Sequence, residues 1–183
     1  MRRFSLIVAV SENSGIGIKG DLPWRIRSEL KYFTRTTKRT SDPSKRNAVI
    51  MGRKTYFGVP ESKRPLPDRL NIVLSTTLQP KDLPEGVKLC PNLEAAMNHL
   101  EGDNQIENIW VVGGSGVYAE AMDSERCHRL YITRIHKKFE CDTFFPKIPE
   151  SFREVAPDPD TPPGIQEENG IEYEYKVLEK ETK

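Results

Sequence analysis

The sequence has few cysteines and no excess of either charge. Only Cys90, Cys127 and Cys141 occur in 183 residues. Such an odd, sparse set does not build a disulfide scaffold, so we expect reduced and mostly buried thiols in a reducing compartment. The 28 basic residues nearly balance the 27 acidic ones. This balance gives no global reason to expect a nucleic acid or an anionic membrane as the main partner.

The sequence also lacks any apolar run that approaches a membrane span, which needs roughly 20 residues. The N-terminal run at residues 4–10 is too short for the apolar region of a secretory signal, and polar residues follow it at once. We therefore expect a soluble, cytoplasmic protein. Its length is enough for one domain with a substantial core, over residues 1–183.

Short apolar runs without polar alternation predict strands that are covered on both faces, as in a parallel sheet. They lie at residues 4–10, 48–51, 70–74, 109–112 and 130–135. Helical spacing of apolar residues separates some of these runs. Ile26, Leu30 and Phe33 predict one helix, and residues 93–100 predict another behind Asn92 as the N-cap.

The C-terminal part of the sequence differs from the rest. Prolines and a glycine predict a long loop at residues 157–164, and the alternation at residues 172–176 predicts a half-solvated antiparallel strand. The predicted fold class is α/β: a single-domain mixed, mostly parallel sheet flanked by helices, with an antiparallel C-terminal strand. Ligands in such sheets bind beyond the carboxyl ends of strands, here near Gly52, Ser75 and Gly113.

Two strand-to-helix turns could bind phosphate. Residues 114–119 fit the pattern G-x-G-x-x-[G/A], in which glycines let backbone amides approach a pyrophosphate at a helix N-terminus. Arg53, Lys54 and Thr55 follow a second strand that ends in Gly52. Each turn alone could simply connect a strand to a helix, as a glycine-rich turn in one case and a solvated basic turn in the other. Two such turns in one small sheet together favour a binding site for a dinucleotide.

Glu29 is the most informative acidic residue. Its position places it at the edge of the apolar face formed by Ile26, Leu30 and Phe33. A poorly solvated carboxyl has a raised pKa and can act as a proton donor or relay. The alternative is an ordinary ion pair with Arg25 at the solvent edge.

Two other features of the sequence allow different interpretations. The many basic residues between Arg25 and Arg46 could form a nucleic-acid-binding stripe, although such runs are usually solvated helix faces. Cysteine and histidine at 127–128, 136 and 141 match no common zinc spacing, so no metal site is predicted.

Seven blocks of the sequence are similar, in order and over nearly the whole chain, to the dihydrofolate reductases of animals. The most specific are Gly-Asp-Leu-Pro-Trp at 20–24 and the Val-Gly-Gly block within 110–118. The other blocks are residues 6–10, 15–17, 49–55, 64–69 and 142–146. The resemblance continues toward the end of the chain, and no fused thymidylate synthase domain is expected.

This resemblance implies roles for individual residues. Glu29 would anchor the amidine edge of the pterin, and the Thr133 hydroxyl would form a hydrogen bond with the carboxyl of Glu29. A water near Trp24 would relay the proton. Arg69 would bind the α-carboxylate of the substrate's glutamate with two hydrogen bonds, which Lys could not reproduce. Leu22 and Tyr118 complete the implied catalytic set. The remaining implied substrate contacts are Ile7, Val8, Ala9, Leu30, Phe33 and Val112.

The resemblance also implies an NADPH site. Ala9 and Ile16 would contact the nicotinamide carboxamide, and residues 15–21 would form a mobile loop over it. A cis peptide bond is expected between Gly113 and Gly114. The full set of implied cofactor contacts is Ala9, Gly15, Ile16, Gly17, Gly20, Asp21, Gly52, Arg53, Lys54, Thr55, Ser75, Thr76, Thr77, Gly113, Gly114, Ser115, Gly116, Val117 and Tyr118.

The chain departs from the vertebrate members of that family at two positions. Thr76 and Pro91 stand where those enzymes carry arginines that bind the cofactor's 2′-phosphate, so preference for NADPH over NADH could be reduced. The implied activity is reduction of dihydrofolate to tetrahydrofolate, which supports one-carbon metabolism and thymidylate synthesis and is sensitive to methotrexate. A monomer is expected. The alternative is a reductase of another pterin, which would have little use for Arg69.

Overall fold

The computed structural model describes residues 1–182, which contain four α-helices and eleven strands. The helices are α1 (Arg27–Lys38), α2 (Arg53–Gly58), α3 (Leu93–Leu100) and α4 (Ser115–Asp123). The strands are β1 (Phe4–Val10), β2 (Gly15–Gly17), β3 (Arg46–Gly52), β4 (Arg69–Leu74), β5 (Lys88–Cys90), β6 (Ile106–Val111), β7 (Cys127–Ile135), β8 (Thr143–Phe144), β9 (Phe152–Val155), β10 (Ile165–Glu168) and β11 (Ile171–Lys180).

The main sheet has the strand order β10-β11-β7-β1-β6-β3-β4-β5, with β9 also paired to β11. All pairs from β7 to β5 are parallel, whereas β11 is antiparallel to β7, β9 and β10. The predicted α/β class, with its mostly parallel sheet and antiparallel C-terminal strand, is confirmed. A separate two-stranded sheet joins β2 to β8.

Alternate residues of the central strands face two different apolar layers. Leu6 and Ile50 belong to the core that includes α3 and α4, whereas Ile7 and Val49 pack with residues of α1 and α2. The sheet is therefore covered on both faces, which explains why its strands lack polar alternation. No helix within residues 1–182 is long and apolar enough to cross a membrane.

Helix α3 follows its predicted pattern. Asn92 Oδ1 accepts a hydrogen bond from the Ala95 amide at 2.8 Å, which is the geometry of an N-cap. The apolar residues of this helix are buried against the sheet.

The predicted apolar face of α1 is confirmed for Ile26, which is buried, and for Phe33, which packs on an apolar layer, but it is wrong for Leu30. Ile26 precedes the helix as its N-cap, and Leu30 is 46% exposed. The buried face instead carries Glu29, Tyr32 and the threonines at 36 and 37. Apolar spacing does not identify the buried face of this helix, because the helix buries polar side chains that have hydrogen-bond partners in the fold and exposes a leucine.

Candidate active site

The proposed site lies where β3 and β6 end. The Gly52 amide donates to the Gly113 carbonyl at 2.8 Å, and the Val112 amide donates to the Ile50 carbonyl at 2.9 Å. These bonds bring both predicted phosphate-binding turns together at the carboxyl edge of the parallel sheet. Glycine matters at 113, where φ is +129° and a Cβ would lie 3.2 Å from Thr55 Oγ1.

Glu29 lies in the first turn of α1 and is only 6% exposed. Thr133 Oγ1 donates to Glu29 Oε1 at 3.1 Å. Burial raises the pKa of Glu29 to about 7, and the Thr133 hydrogen bond opposes that rise only in part. The alternative ion pair with Arg25 is wrong, because Arg25 instead pairs with Asp21 at 3.3 Å.

Two aromatic residues of the implied catalytic set, Trp24 and Tyr118, are buried. Trp24 is 3% exposed, and its indole Nε1 has no hydrogen-bond partner in the described chain. The Tyr118 hydroxyl donates to the Ile7 carbonyl at 2.8 Å. Burial first, and then the charge of Glu29, raise the pKa of Tyr118. The Tyr118 hydroxyl is therefore fixed by the backbone of β1.

Sequence reasoning missed two tyrosines near Glu29. Tyr32 and Tyr175 stack edge to face with ring centroids 4.1 Å apart. Burial is the main cause of the raised pKa of both hydroxyls, and the Glu29 charge adds to it. Tyr175 is the register partner of Thr133 on β7. Tyr32 could have been found, because it lies three residues after Glu29 on the same helix face.

The apolar residues assigned to the substrate divide into buried and exposed groups. Ile7 and Val8 are buried in β1, while Ala9, Phe33 and Val112 are partly buried. Leu22 and Leu30 are 36% and 46% exposed. Exposed leucines of this kind can cover a flat apolar ligand.

Arg69 begins β4 and is only 5% exposed. Its Nε donates to the Pro67 carbonyl at 3.0 Å, and its Nη1 donates to Thr37 Oγ1 at 2.9 Å. No carboxylate within residues 1–182 forms a salt bridge with it. A buried guanidinium normally has a carboxylate partner, so this geometry can accept one from a ligand.

The glycine turn before α4 fits a pyrophosphate. Gly113–Gly114 is a cis peptide bond, as the resemblance implied. Helix α4 begins at Ser115, and a Cβ at Gly116 would meet nothing within 4 Å, so space remains beside the first turn. Arg53 and Lys54 are exposed at the start of α2. Amides, open space and two cations form a site suited to phosphate groups.

The turn after β4 is organised by Ser75. Its Oγ accepts hydrogen bonds from the amides of Thr77 and Leu78 at 3.1 and 3.0 Å. The Ser75 amide donates to the Cys90 carbonyl, which places Thr76 and Pro91 at neighbouring strand ends. The two departures from the vertebrate pattern therefore lie in the same region of the sheet edge.

Residues 15–21 are attached to the segment that contains β8. The Gly15 amide donates to Ser11 Oγ at 2.8 Å, and the Lys19 amide donates to Asp142 Oδ2 at 2.9 Å. Gly20 has a φ of +78°, which favours glycine at this turn. Ile16 and Gly17 lie in β2, which pairs with β8, and Asp21 pairs with Ile18 across the turn that follows.

Half of the eight basic residues between Arg25 and Arg46 form salt bridges with acidic residues. Arg39 contacts Asp158 and Asp160 at 2.7 Å, and Lys38 contacts Asp68 at 2.9 Å. These pairs reduce the charge available to a nucleic acid. No group of three or more His, Cys, Asp or Glu residues in the described chain could hold a metal ion.

Comparisons with known proteins agree with this arrangement. The sequence profile described as dihydrofolate reductase matches residues 3–180. The chain belongs to the dihydrofolate reductase family. It is 78% identical to the dihydrofolate reductase of Drosophila melanogaster over 182 residues, and the match covers 100% of both chains.

More distant members of the dihydrofolate reductase family match over the same length. The enzyme of Sus scrofa is 47% identical, with 98% of this chain and 99% of the other covered. The solved structure of Schistosoma mansoni dihydrofolate reductase superposes with a TM-score of 0.86 at 37% identity, covering 98% of this chain and 99% of that one. The similarity therefore extends over nearly the whole chain.

Burial of Glu29 makes stability depend on pH. Its pKa is about 7 in the folded chain against 4.5 as the ordinary value, so stability is fully present below pH 4.5 and is lost as pH rises through 7. Between those two pH values the free energy of unfolding of the wild type is expected to fall by roughly 3 kcal/mol, whereas that of Glu29→Gln should not show this fall. Urea unfolding across this pH range measures the difference, and parallel curves for the two proteins would contradict the raised pKa.

Proposed function

We propose that the protein reduces 7,8-dihydrofolate to 5,6,7,8-tetrahydrofolate with NADPH. The observation that carries this proposal is Glu29, a buried carboxyl with a pKa near neutrality that is bonded at one oxygen by Thr133. Its second oxygen has no hydrogen-bond partner in the described chain. A pterin amidine presents two adjacent N–H donors, which match two carboxylate oxygens.

The chain's own residues bind the ring and supply a route for the proton. Glu29 anchors the amidine edge, and the unpartnered Trp24 Nε1 can donate to a water that carries the proton toward N5. Protonation of N5 makes the adjacent C6 electrophilic. Leu22 and Phe33 cover the ring and exclude bulk water, and Arg69 holds the glutamate end.

The second half of the site holds the dinucleotide. A reduced nicotinamide supplies hydride to C6 when it is bound. The backbone of Ala9 and Ile16 orients its carboxamide, and residues 15–21 cover it. Thr55 and the first turn of α4, from Ser115 to Tyr118, take the pyrophosphate. The hydroxyls of Ser75, Thr76 and Thr77 complete the phosphate contacts with Arg53 and Lys54.

A direct assay tests this function. Purified protein is mixed with dihydrofolate and NADPH, nicotinamide absorbance is followed, and methotrexate is added in a parallel sample. Rapid oxidation that methotrexate stops is expected. Oxidation with a dihydropterin that lacks the benzoylglutamate, but none with dihydrofolate, would favour the reductase of another pterin. Retention of RNA at physiological salt without oxidation would favour the nucleic-acid module.

Cofactor choice provides a further prediction. Arg53→Ala is expected to raise the KM for NADPH about tenfold and to change the KM for NADH less than twofold, because only NADPH carries the 2′-phosphate. Steady-state kinetics with both cofactors measure the two ratios. Lys176→Ala is a matched control, since that cation lies on β11 and pairs with Glu154 and Glu174. Equal loss for both cofactors would reject the role of Arg53.

The cellular setting follows from the same proposal. The protein would act as a cytoplasmic monomer that supplies tetrahydrofolate for one-carbon metabolism and thymidylate synthesis. Gel filtration checks the monomer, and cell fractionation checks the compartment.

A further inference from the structure

We propose that Thr37 is a positioning residue for Arg69 and thereby sets the affinity for the glutamate end of the substrate. This inference rests on the proposed function, in which Arg69 binds that glutamate. Thr37 is fully buried on α1, 32 positions away from Arg69 in the chain. Like Asn47 and Asn71, it is a buried polar residue to which the proposed reaction gives no direct role.

The Thr37 hydroxyl has a defined direction. It donates to the Phe33 carbonyl one helical turn earlier at 2.8 Å, so its lone pairs face away from that bond. Arg69 Nη1 donates to the same oxygen at 2.9 Å. Because a hydroxyl has a single proton, the bond to Phe33 ensures that the oxygen presents an acceptor to the guanidinium.

A buried asparagine on the sheet holds the backbone of Thr37 in place. Asn47 on β3 is 0% exposed, and its Nδ2 donates to the carbonyls of Thr37 and Arg39 at 2.9 and 2.8 Å. Its Oδ1 accepts from the Asn108 amide at 3.0 Å. These bonds use the unpaired carbonyls at the end of α1 and attach the helix to two central strands.

The opposite side of Arg69 is also fixed. Its Nε is bonded to the Pro67 carbonyl, and that turn is held by Asn71. The Asn71 side chain exchanges two hydrogen bonds of 2.9 Å with the backbone of Leu66 and donates to the Arg69 carbonyl at 3.0 Å. Nε and one N–H of Nη1 therefore have protein acceptors, whereas the second N–H of Nη1 and both N–H groups of Nη2 have none in residues 1–182 and can bind a ligand carboxylate with two hydrogen bonds.

This arrangement explains how a guanidinium can stay oriented while it is buried without a carboxylate partner. Burial lowers the pKa of Arg69, although a guanidinium remains charged in proteins. A free arginine would lose side-chain entropy when it binds a carboxylate. Thr37 and Pro67 remove that freedom in advance, so the geometry for a bidentate contact exists before the substrate arrives.

The test compares Thr37→Val with Thr37→Ser on two substrates. Dihydrofolate carries the glutamate, whereas 6-methyl-7,8-dihydropterin has the same ring without it. Thr37→Val is expected to raise the KM for dihydrofolate about tenfold with kcat changed less than twofold, and to leave kcat/KM for the dihydropterin unchanged. Thr37→Ser keeps the hydroxyl and is expected to restore the wild-type KM.

Thr36→Val is the matched control, because Thr36 is a neighbouring buried residue of the same helix and has no bond to Arg69. Its KM for dihydrofolate should equal that of the wild type. The binding of folate, measured without cofactor by tryptophan fluorescence, should weaken about tenfold in Thr37→Val alone.

Equal losses on both substrates, or an unchanged KM for dihydrofolate in a folded Thr37→Val protein, would overturn the proposal. If Thr37→Val does not fold, Thr37→Ala repeats the comparison, because it also removes the hydroxyl that accepts from Arg69 and introduces no larger group. The same preferential loss for dihydrofolate is expected there, and equal losses would count against the proposal. Wild-type protein that reduces neither substrate would instead reject the proposed function.

Discussion

Glu29→Gln is expected to lower kcat at about pH 7 by 10²- to 10³-fold, within the range usual for loss of a positioned acid or base. The amide keeps the size of the side chain and one acceptor, but it cannot exchange a proton. The loss should shrink as pH falls, because the substrate nitrogen then becomes protonated by the solvent. Steady-state rates across pH measure this dependence.

The wild-type rate should fall as pH rises through about 7, where Glu29 loses its proton. Glu29→Asp keeps an acid at the site and is expected to retain more activity than the Gln variant. Near-native turnover of Glu29→Gln at neutral pH would remove Glu29 from the mechanism. Thermal unfolding of each variant controls for loss of the fold.

Arg69→Lys is expected to raise the KM for dihydrofolate about 100-fold, because an ammonium group cannot reproduce a planar, two-bond contact with a carboxylate. Lys would also lose the bond from Nε to the Pro67 carbonyl that orients the native side chain. The change should leave kcat/KM for 6-methyl-7,8-dihydropterin within twofold. Steady-state kinetics on both substrates measure the difference.

Arg129→Lys is the matched control for this substitution, since Arg129 pairs with Glu179 between β7 and β11. It should change neither substrate's KM. A similar loss for dihydrofolate and the dihydropterin in Arg69→Lys would show that Arg69 supports the fold rather than the glutamate.

Much of the sheet could be predicted from the sequence. Strands buried on both faces have near-continuous apolar runs, and these runs identified β1, β3, β4, β6 and β7. The helix α3 was identified by apolar spacing together with a local cap at Asn92. Both signals are local, so neighbouring residues in the chain were enough to reveal them.

The polar interior was harder to predict. Apolar spacing placed Leu30 in the core, although it is exposed, and placed Glu29 at an edge, although it is buried. The buried carboxyl of Glu29 accepts a hydrogen bond from Thr133, which is 104 positions away in the chain. No local pattern encodes such a contact.

The hydrogen bonds around Arg69 could not be predicted for the same reason, since they join residues that are distant in the chain. Thr37 and Asn47 carry no motif and follow no periodic pattern, and they meet Arg69 only after α1 packs on the sheet. The role proposed for Glu29 began with its position beside apolar residues and was supported by the family resemblance, whereas the role of Arg69 came from the resemblance alone. The structure adds the neighbours that give each group its pKa or its direction.

Isotope transfer tests the central claim most directly. Protein is mixed with dihydrofolate and NADPH that carries deuterium at the transferred C4 position, and the product is examined by NMR. The account predicts tetrahydrofolate with deuterium at C6 and an unlabelled N5, because hydride goes to carbon while the nitrogen takes its proton from the solvent. Oxidised cofactor without labelled tetrahydrofolate, or no reaction by folded protein, would contradict it.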